Sequence, residues 1–132
     1  MKTLVVEDEF ISRNILLAFL SEHGHCDVAI NGCEAVEAFA RAYAEGSPYD
    51  LVCLDLSMPE MNGHDALRHM RFAEVKRGIY GLDRVRIVIT TVHWDAENMF
   101  PAFRGECDGY LAKPISKQAL DELLCSLNVL AR

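Results

Sequence analysis

"LVCLDLSMPEMNG", residues 51–63, sets an apolar run against an aspartate. Leu51, Val52, Cys53 and Leu54 read as a buried strand, and Asp55 stands at its end. An ionised carboxylate withdrawn from water without a partner is costly, so Asp55 needs either solvent or a counter-charge. Outward from this strand, short apolar runs alternate with amphipathic stretches in both directions.

Toward the N-terminus, residues 3–6 form a β-rich run that stops at "EDE" (7–9). Residues 10–22 carry Ile11, Ile15, Ala18 and Phe19 at i, i+4, i+7 and i+8, a helical stripe closed by Gly24. Residues 26–30 read as a second strand. Asn31 can cap the next helix, whose Val36, Phe39, Ala40 and Tyr43 share a face, and Gly46, Ser47 and Pro48 break it.

Toward the C-terminus, a helix starts near Asn62 with Ala66, Leu67 and Met70 facing inward. Residues 72–84, "FAEVKRGIYGLDR", are polar with two glycines and predict a long surface connection. "RVRIVIT" (84–90) is a fourth strand. A helix is expected from about Asp95, a fifth strand over 109–112, and a last helix from Ser116. There Leu120, Leu123, Leu124 and Leu127 follow i, i+3, i+4, i+7. Pro101 removes a backbone donor inside "DAENMFPAFRG" (95–105), so the fourth helix should begin late, kink or be short.

Five strands alternating with five helices predict an α/β fold, a doubly wound (βα)5 sandwich with a five-stranded parallel sheet. Right-handed crossovers bring every strand end to one edge, where sites form in open α/β sheets. Glu7, Asp8, Asp55, Thr90, Thr91 and Lys113 occupy those ends.

The bulk properties narrow the function. A chain of 132 residues is expected to be one domain, 1–132, with no output domain behind it. A formal charge of −7 argues against nucleic acid as a partner. No apolar run is long enough to span a bilayer and no secretory signal opens the chain, so no membrane and a cytoplasmic location are expected. The five cysteines show no C-x-x-C pair or zinc-like spacing, and His64 and His69, five apart, diverge on a helix.

Three crowded carboxylates repel one another unless a cation joins them, and an oxygen-only set open to water suits Mg²⁺. Lys113 adds a fixed positive charge and Thr91 a hydroxyl. Together they suit a phosphoryl group in flight, with Asp55 as the nucleophile that becomes an aspartyl-phosphate. Each residue alone admits a plainer role. Asp55 could cap a turn, "EDE" could start a helix, Thr91 could serve the strand and Tyr110 the core.

The motifs "LVVEDE" (4–9), "LDLSMPEMNG" (54–63), "VITTV" (88–92) and "GYLAKP" (109–114) stand in order, each at a strand end. The chain resembles the receiver domains of two-component response regulators, in the stand-alone form related to the chemotaxis regulator. That family itself exemplifies the flavodoxin-like strand order 2-1-3-4-5, so the order is taken from the resemblance.

The resemblance implies Asp55 as phosphoacceptor, and Glu7 and Asp8 as the Mg²⁺-holding pair, with the backbone carbonyl of Ser57 as a further ligand. Mn²⁺ is an alternative ion. It implies Thr91 as switch hydroxyl, Lys113 as phosphate contact, a cis peptide before Pro114, and Tyr110 as aromatic switch. Ser57 and His93 fall where the family tunes hydrolysis of the acyl-phosphate. A histidine kinase or histidine phosphotransfer protein is the implied donor. Output then passes to a downstream target protein or a phosphorylation-dependent homodimer, through the face of the fourth helix, fifth strand and last helix. This would be a switch that catalyses its own phosphorylation and dephosphorylation, not an enzyme acting on other substrates.

Three rivals remain. A phosphohydrolase would need a second acid at position 57, where Ser57 stands. A flavin or nucleotide carrier would need a phosphate loop where "EDEF" stands. The third is a phosphorylation-independent interaction module with an unused site.

Overall fold

Strands that are apolar at every position, such as "LVCL" before Asp55, must be covered on both faces, and this requirement sets the architecture. The computed structural model describes residues 1–56, 63–92 and 106–130. Its strands are β1 (Lys2–Val6), β2 (His25–Ala29), β3 (Leu51–Asp55), β4 (Arg86–Thr91) and β5 (Gly109–Ala112). Its α-helices are α1 (Phe10–Leu20), α2 (Gly32–Ala44), α3 (Gly63–Lys76) and α4 (Lys117–Ser126). The strands form one parallel sheet in the expected order β2-β1-β3-β4-β5. The helix expected from Asp95, with Pro101, lies outside the described residues. Among the described residues, no helix is long and apolar enough to cross a membrane.

Strand alternation divides the core in two. Leu4, Val6, Val52, Leu54, Ile87 and Ile89 pack with Phe39 of α2 and Ala66, Leu67 and Met70 of α3. On the other face, Val5, Leu51, Cys53, Val88 and Leu111 pack with Leu16 and Leu20 of α1 and Leu120 and Leu124 of α4. A fully buried Leu or Ile contributes about 2 kcal/mol.

Local signals place the helix starts. The Asn31 side chain accepts the Glu34 N–H at 2.8 Å, and Glu34 Oε1 accepts the Ile30 N–H at 3.3 Å. Ser116 Oγ accepts the Ala119 N–H at 3.0 Å.

Two expectations are corrected. In α1 the buried residues are Leu16 and Leu20, whereas Ile11 is 65% exposed and Ala18 is also exposed. Two apolar stripes overlap on this helix, and periodicity cannot choose between them. The sheet takes the leucines and leaves Ile11 facing outward.

The second correction concerns the stretch 72–84. Its first five residues continue α3 to Lys76, and the remainder holds a short 3₁₀ turn, Gly81–Asp83. One of its polar residues, Glu74, belongs to a buried ion network, while Lys76, Arg77 and Asp83 are exposed. Glu74, fully buried, accepts the Val85 N–H at 2.7 Å and pairs with Arg71 at 2.7 Å. Arg71 also donates to the carbonyls of Val85 (2.9 Å) and Glu106 (2.6 Å), and pairs with Asp108 at 3.0 Å. Asp108 in turn accepts the Ile87 N–H at 2.8 Å. The network clamps the start of β4 and the approach to β5 onto α3.

Removing one partner strands the others in the interior. Glu74→Ala should lower unfolding free energy by about 3–5 kcal/mol in equilibrium urea titrations. Val75→Ala, at a half-exposed neighbour, should cost under about 1 kcal/mol.

Candidate functional site

The carboxyl edge of the sheet is assembled by the backbone before any side chain takes part. Val6 pairs with Leu54, Asp55 with Thr90, and Thr91 with Ala112. Past the last pairs, the Leu56 N–H donates to the Thr90 carbonyl at 3.3 Å and the Lys113 N–H to the Thr91 carbonyl at 2.8 Å. The Glu7 N–H reaches the Ala29 carbonyl at 3.0 Å. Five chain segments distant in sequence therefore end side by side.

At this edge the carboxylates of Glu7, Asp8 and Asp55 have oxygens within 4.8 Å of one another. Glu7 is fully buried, Asp55 nearly so and Asp8 exposed. Lys113, at the end of β5, gives its ammonium to Glu7 and stands 3.4 Å from Asp55 Oδ1. Glu9, the third acid of "EDE", has a different task. Its side chain accepts the N–H groups of Ile11 (3.1 Å) and Ser12 (2.7 Å), capping α1 and leaving Glu7 and Asp8 to the site.

One ammonium does not neutralise this set. Burial, reinforced by the nearby Asp55 carboxylate, raises the Glu7 pKa from an ordinary 4.5 to about 7 despite Lys113. Burial alone would lower the Lys113 pKa, but the Glu7 and Asp55 carboxylates outweigh it and raise it. Glu7 Oε2 is buried and finds no hydrogen-bond partner among the described residues. An orphaned buried oxygen beside two further carboxylates fits a hard divalent cation such as Mg²⁺.

The remaining expected residues fall as follows. Thr91 is buried at the end of β4, one residue past the partner of Asp55. Tyr110, on β5, is half-buried and packs against the core beneath α2 and α3. The Lys113–Pro114 peptide is cis. Ser57 and His93 lie outside the described residues.

The sequence reading missed two contributors. Arg13 Nη1 donates to the carbonyls of Glu7 (3.3 Å) and Asp8 (3.4 Å), tying the acidic loop to α1. Four intervening residues and a helix start hid this link. Gly63, closing the "MNG" of the opening stretch, donates its N–H to the Leu56 carbonyl at 3.0 Å. A Cβ there would lie 2.4 Å from the Asp55 carbonyl oxygen and 2.7 Å from the Leu56 Cα. Only glycine lets α3 begin against the strand end that carries Asp55.

Residues 3–124 match the family model for the response regulator receiver domain. The chain is 31% identical over 129 residues to two-component response regulator ORR41 of Oryza sativa subsp. japonica, spanning 98% of this chain and 95% of that protein. It spans only 7% of the length of hybrid signal transduction histidine kinase L of Dictyostelium discoideum, at 32% identity. Among solved structures, the receiver domain of the histidine kinase CKI1 from Arabidopsis thaliana, complexed with Mg²⁺ and BeF₃⁻, superposes with a TM-score of 0.81 and 25% identity. That alignment covers 98% of this chain and 90% of that one. The receiver domain of Ssk1, crystallised with the histidine phosphotransfer protein Ypd1 of Saccharomyces cerevisiae, gives a TM-score of 0.77 and 28% identity over 94% of this chain and 86% of that one.

Gly63→Ala should impair Mg²⁺ binding, read by metal titration, while Gly46→Ala, where a φ of 74° strains any side chain but nothing lies within 4 Å, should cost stability and leave the metal titration unchanged. Glu7 also sets a pH dependence. Its folded pKa lies above the ordinary value, so its stabilising contribution is complete below about 4.5 and is lost as pH rises through about 7. In EDTA the melting temperature should therefore fall between about pH 5 and about pH 8, and Glu7→Gln should flatten that fall. Mg²⁺ should stabilise the wild type more at the higher pH, as thermal melts with and without the ion will show.

Proposed function

The chain belongs to the response regulator receiver domains of two-component signalling systems, and from that premise we propose that Asp55 is the phosphoacceptor of a phosphorelay switch. The observation that carries this reading is three carboxylates, Glu7, Asp8 and Asp55, sharing one lysine at the carboxyl edge of the sheet.

Glu7, Asp8 and Asp55 would hold Mg²⁺, or Mn²⁺ in its place, with the Ser57 carbonyl as a further ligand. When bound, the ion supplies positive charge to offset the phosphoryl oxygens. An Asp55 carboxylate oxygen attacks the phosphorus of a phosphohistidine. The P–O bond forms as the P–N bond breaks, and the electron pair leaves on the imidazole nitrogen, which takes up a proton. Lys113 then shifts from Glu7 toward the new phosphoryl oxygens, and the Thr91 hydroxyl donates to another. The adduct leaves Asp55 with about two negative charges. The Tyr110 ring, on the same strand as Lys113, carries the change toward the face of β5, α4 and the helix expected before β5. A downstream target protein or a homodimer would read that face. Ser57 and His93 would set how readily water removes the phosphoryl group. The cytoplasm is the proposed location.

The surroundings support a protein donor. Phe10, Ile11 and Val92 are 68%, 65% and 63% exposed. Ile11, Ile15, Val92 and Ile115 line, with Lys113, a recess of 290 Å³ beside the site. An apolar rim around a charged centre suits docking of a histidine kinase or histidine phosphotransfer protein.

Intact mass after incubation with acetyl phosphate and Mg²⁺ should show a single phosphoryl adduct, absent in EDTA and in Asp55→Asn. Phosphate release and beryllofluoride binding in the same samples guard against rapid turnover. Loss of all three signals in the wild type would leave a phosphorylation-independent binding module.

A further inference from the structure

The strongest feature outside the site lies on the far half of α3 and the connection after it. Between Ala66 and Leu82 the chain carries four Lys/Arg and one Glu, within a protein of net charge −7. That Glu74 is buried against Arg71, so the exposed charges of the stretch are Arg68, Lys76 and Arg77, three cations against the single exposed acid Asp83 that follows Leu82. Interleaved with them, Phe72, Val75, Tyr80 and Leu82 are 61%, 49%, 61% and 88% exposed.

The cations here lie over aromatic rings. The Lys76 ammonium sits 5.5 Å from the Phe72 ring centre and the Arg77 guanidinium 5.3 Å from that of Tyr43. Among the described residues, neither they nor Arg68 enters an ion pair. Tyr43 joins this basic end of α3 to a 510 Å³ cleft that it lines together with Tyr49, Leu82 and Val85. The surface stands on a rigid base, because the Arg71–Glu74–Asp108 network fastens α3 to β4 and β5 directly beneath it.

We propose that this surface docks an acidic, amphipathic protein segment, whose apolar side chains meet Phe72 and Leu82 and whose carboxylates meet Arg68, Lys76 and Arg77. Charge complementarity selects the partner. The face is cationic on an otherwise acidic domain, so acidic segments are steered to it and basic ones gain nothing there. A nucleic acid fits less well: Phe72 and Tyr80 offer stacking faces, but three cations make only a short phosphate track on a domain of net charge −7, which repels a polyanion. Phe72 lies nine residues along α3 from Gly63, about 13 Å at the helical rise. The surface is therefore separate from the Asp55 pocket, and its occupation does not depend on phosphorylation. The rigid base lowers the ordering cost of binding.

The test uses the full chain and three fluorescent probes: an acidic helical peptide with Leu and Phe anchors, the same peptide with Lys for every Glu, and a single-stranded oligonucleotide. Anisotropy should show saturable binding of the acidic peptide alone, unchanged in Asp55→Asn. Amide shifts in NMR should centre on 68–84. Leu82→Ser and Lys76→Glu, both at exposed positions, should each weaken it by about tenfold. Arg77→Glu combined with Lys76→Glu should turn the preference to the basic peptide. Four results would each overturn the proposal: no binding of the acidic peptide, equal binding of the basic one, tighter binding of the oligonucleotide, or shifts that map elsewhere. Self-association abolished by Leu82→Ser in sedimentation velocity would assign the surface to a second copy instead.

Discussion

An excess of negative charge at one edge of the sheet governs the rest of this molecule. Glu7, Asp8 and Asp55 converge there, and among the described residues Lys113 is the single ammonium that meets them. The buried Glu7 shows the imbalance most directly, with its raised pKa and a second oxygen that finds no hydrogen-bond partner among the described residues. A water-filled surface would screen such a cluster. Here the β1 and β3 ends are buried, so the charge must be met by a cation or by a proton.

The two edges of the sheet handle charge in opposite ways. At the carboxyl edge, among the described residues, three carboxylates converge on one ammonium. At the other edge Arg71, Glu74 and Asp108 meet one another and four backbone groups, and their hydrogen bonds are closed internally. The first arrangement leaves negative charge in excess among the described residues. The second is rigid because it is complete, and it carries the cationic, apolar surface of α3 without letting it move relative to the strands.

Much of this was legible in the chain. The run "LVCLD" marked β3 and the residue at its end, and "GYLA" (109–112) marked β5 to the residue. Asn31 and Ser116 announced their helices through side-chain oxygens that find amides three residues on, a contact that needs no tertiary partner. The phase of α1 was not legible, because Ile11/Ile15 and Leu16/Leu20 are equally apolar stripes and only the sheet chooses between them. Nor was the end of α3, since Glu74 looks like any solvent-facing acid until Val85 and Arg71 close on it from elsewhere.

By itself, then, the sequence determined the order of the elements along the chain and the identity of the acids and the lysine near the strand ends, while the bounds of β2 and β4 moved by one or two residues. These depend on local propensity and on the period of apolar residues. Tertiary structure alone decided which face of α1 was buried and where α3 ended. It also decided that Glu9 would cap a helix while Glu7 lost its water, and that Gly63 would press against Asp55. Those outcomes depend on contacts between residues far apart along the chain, and pairwise burial of charge is invisible until both partners are in place.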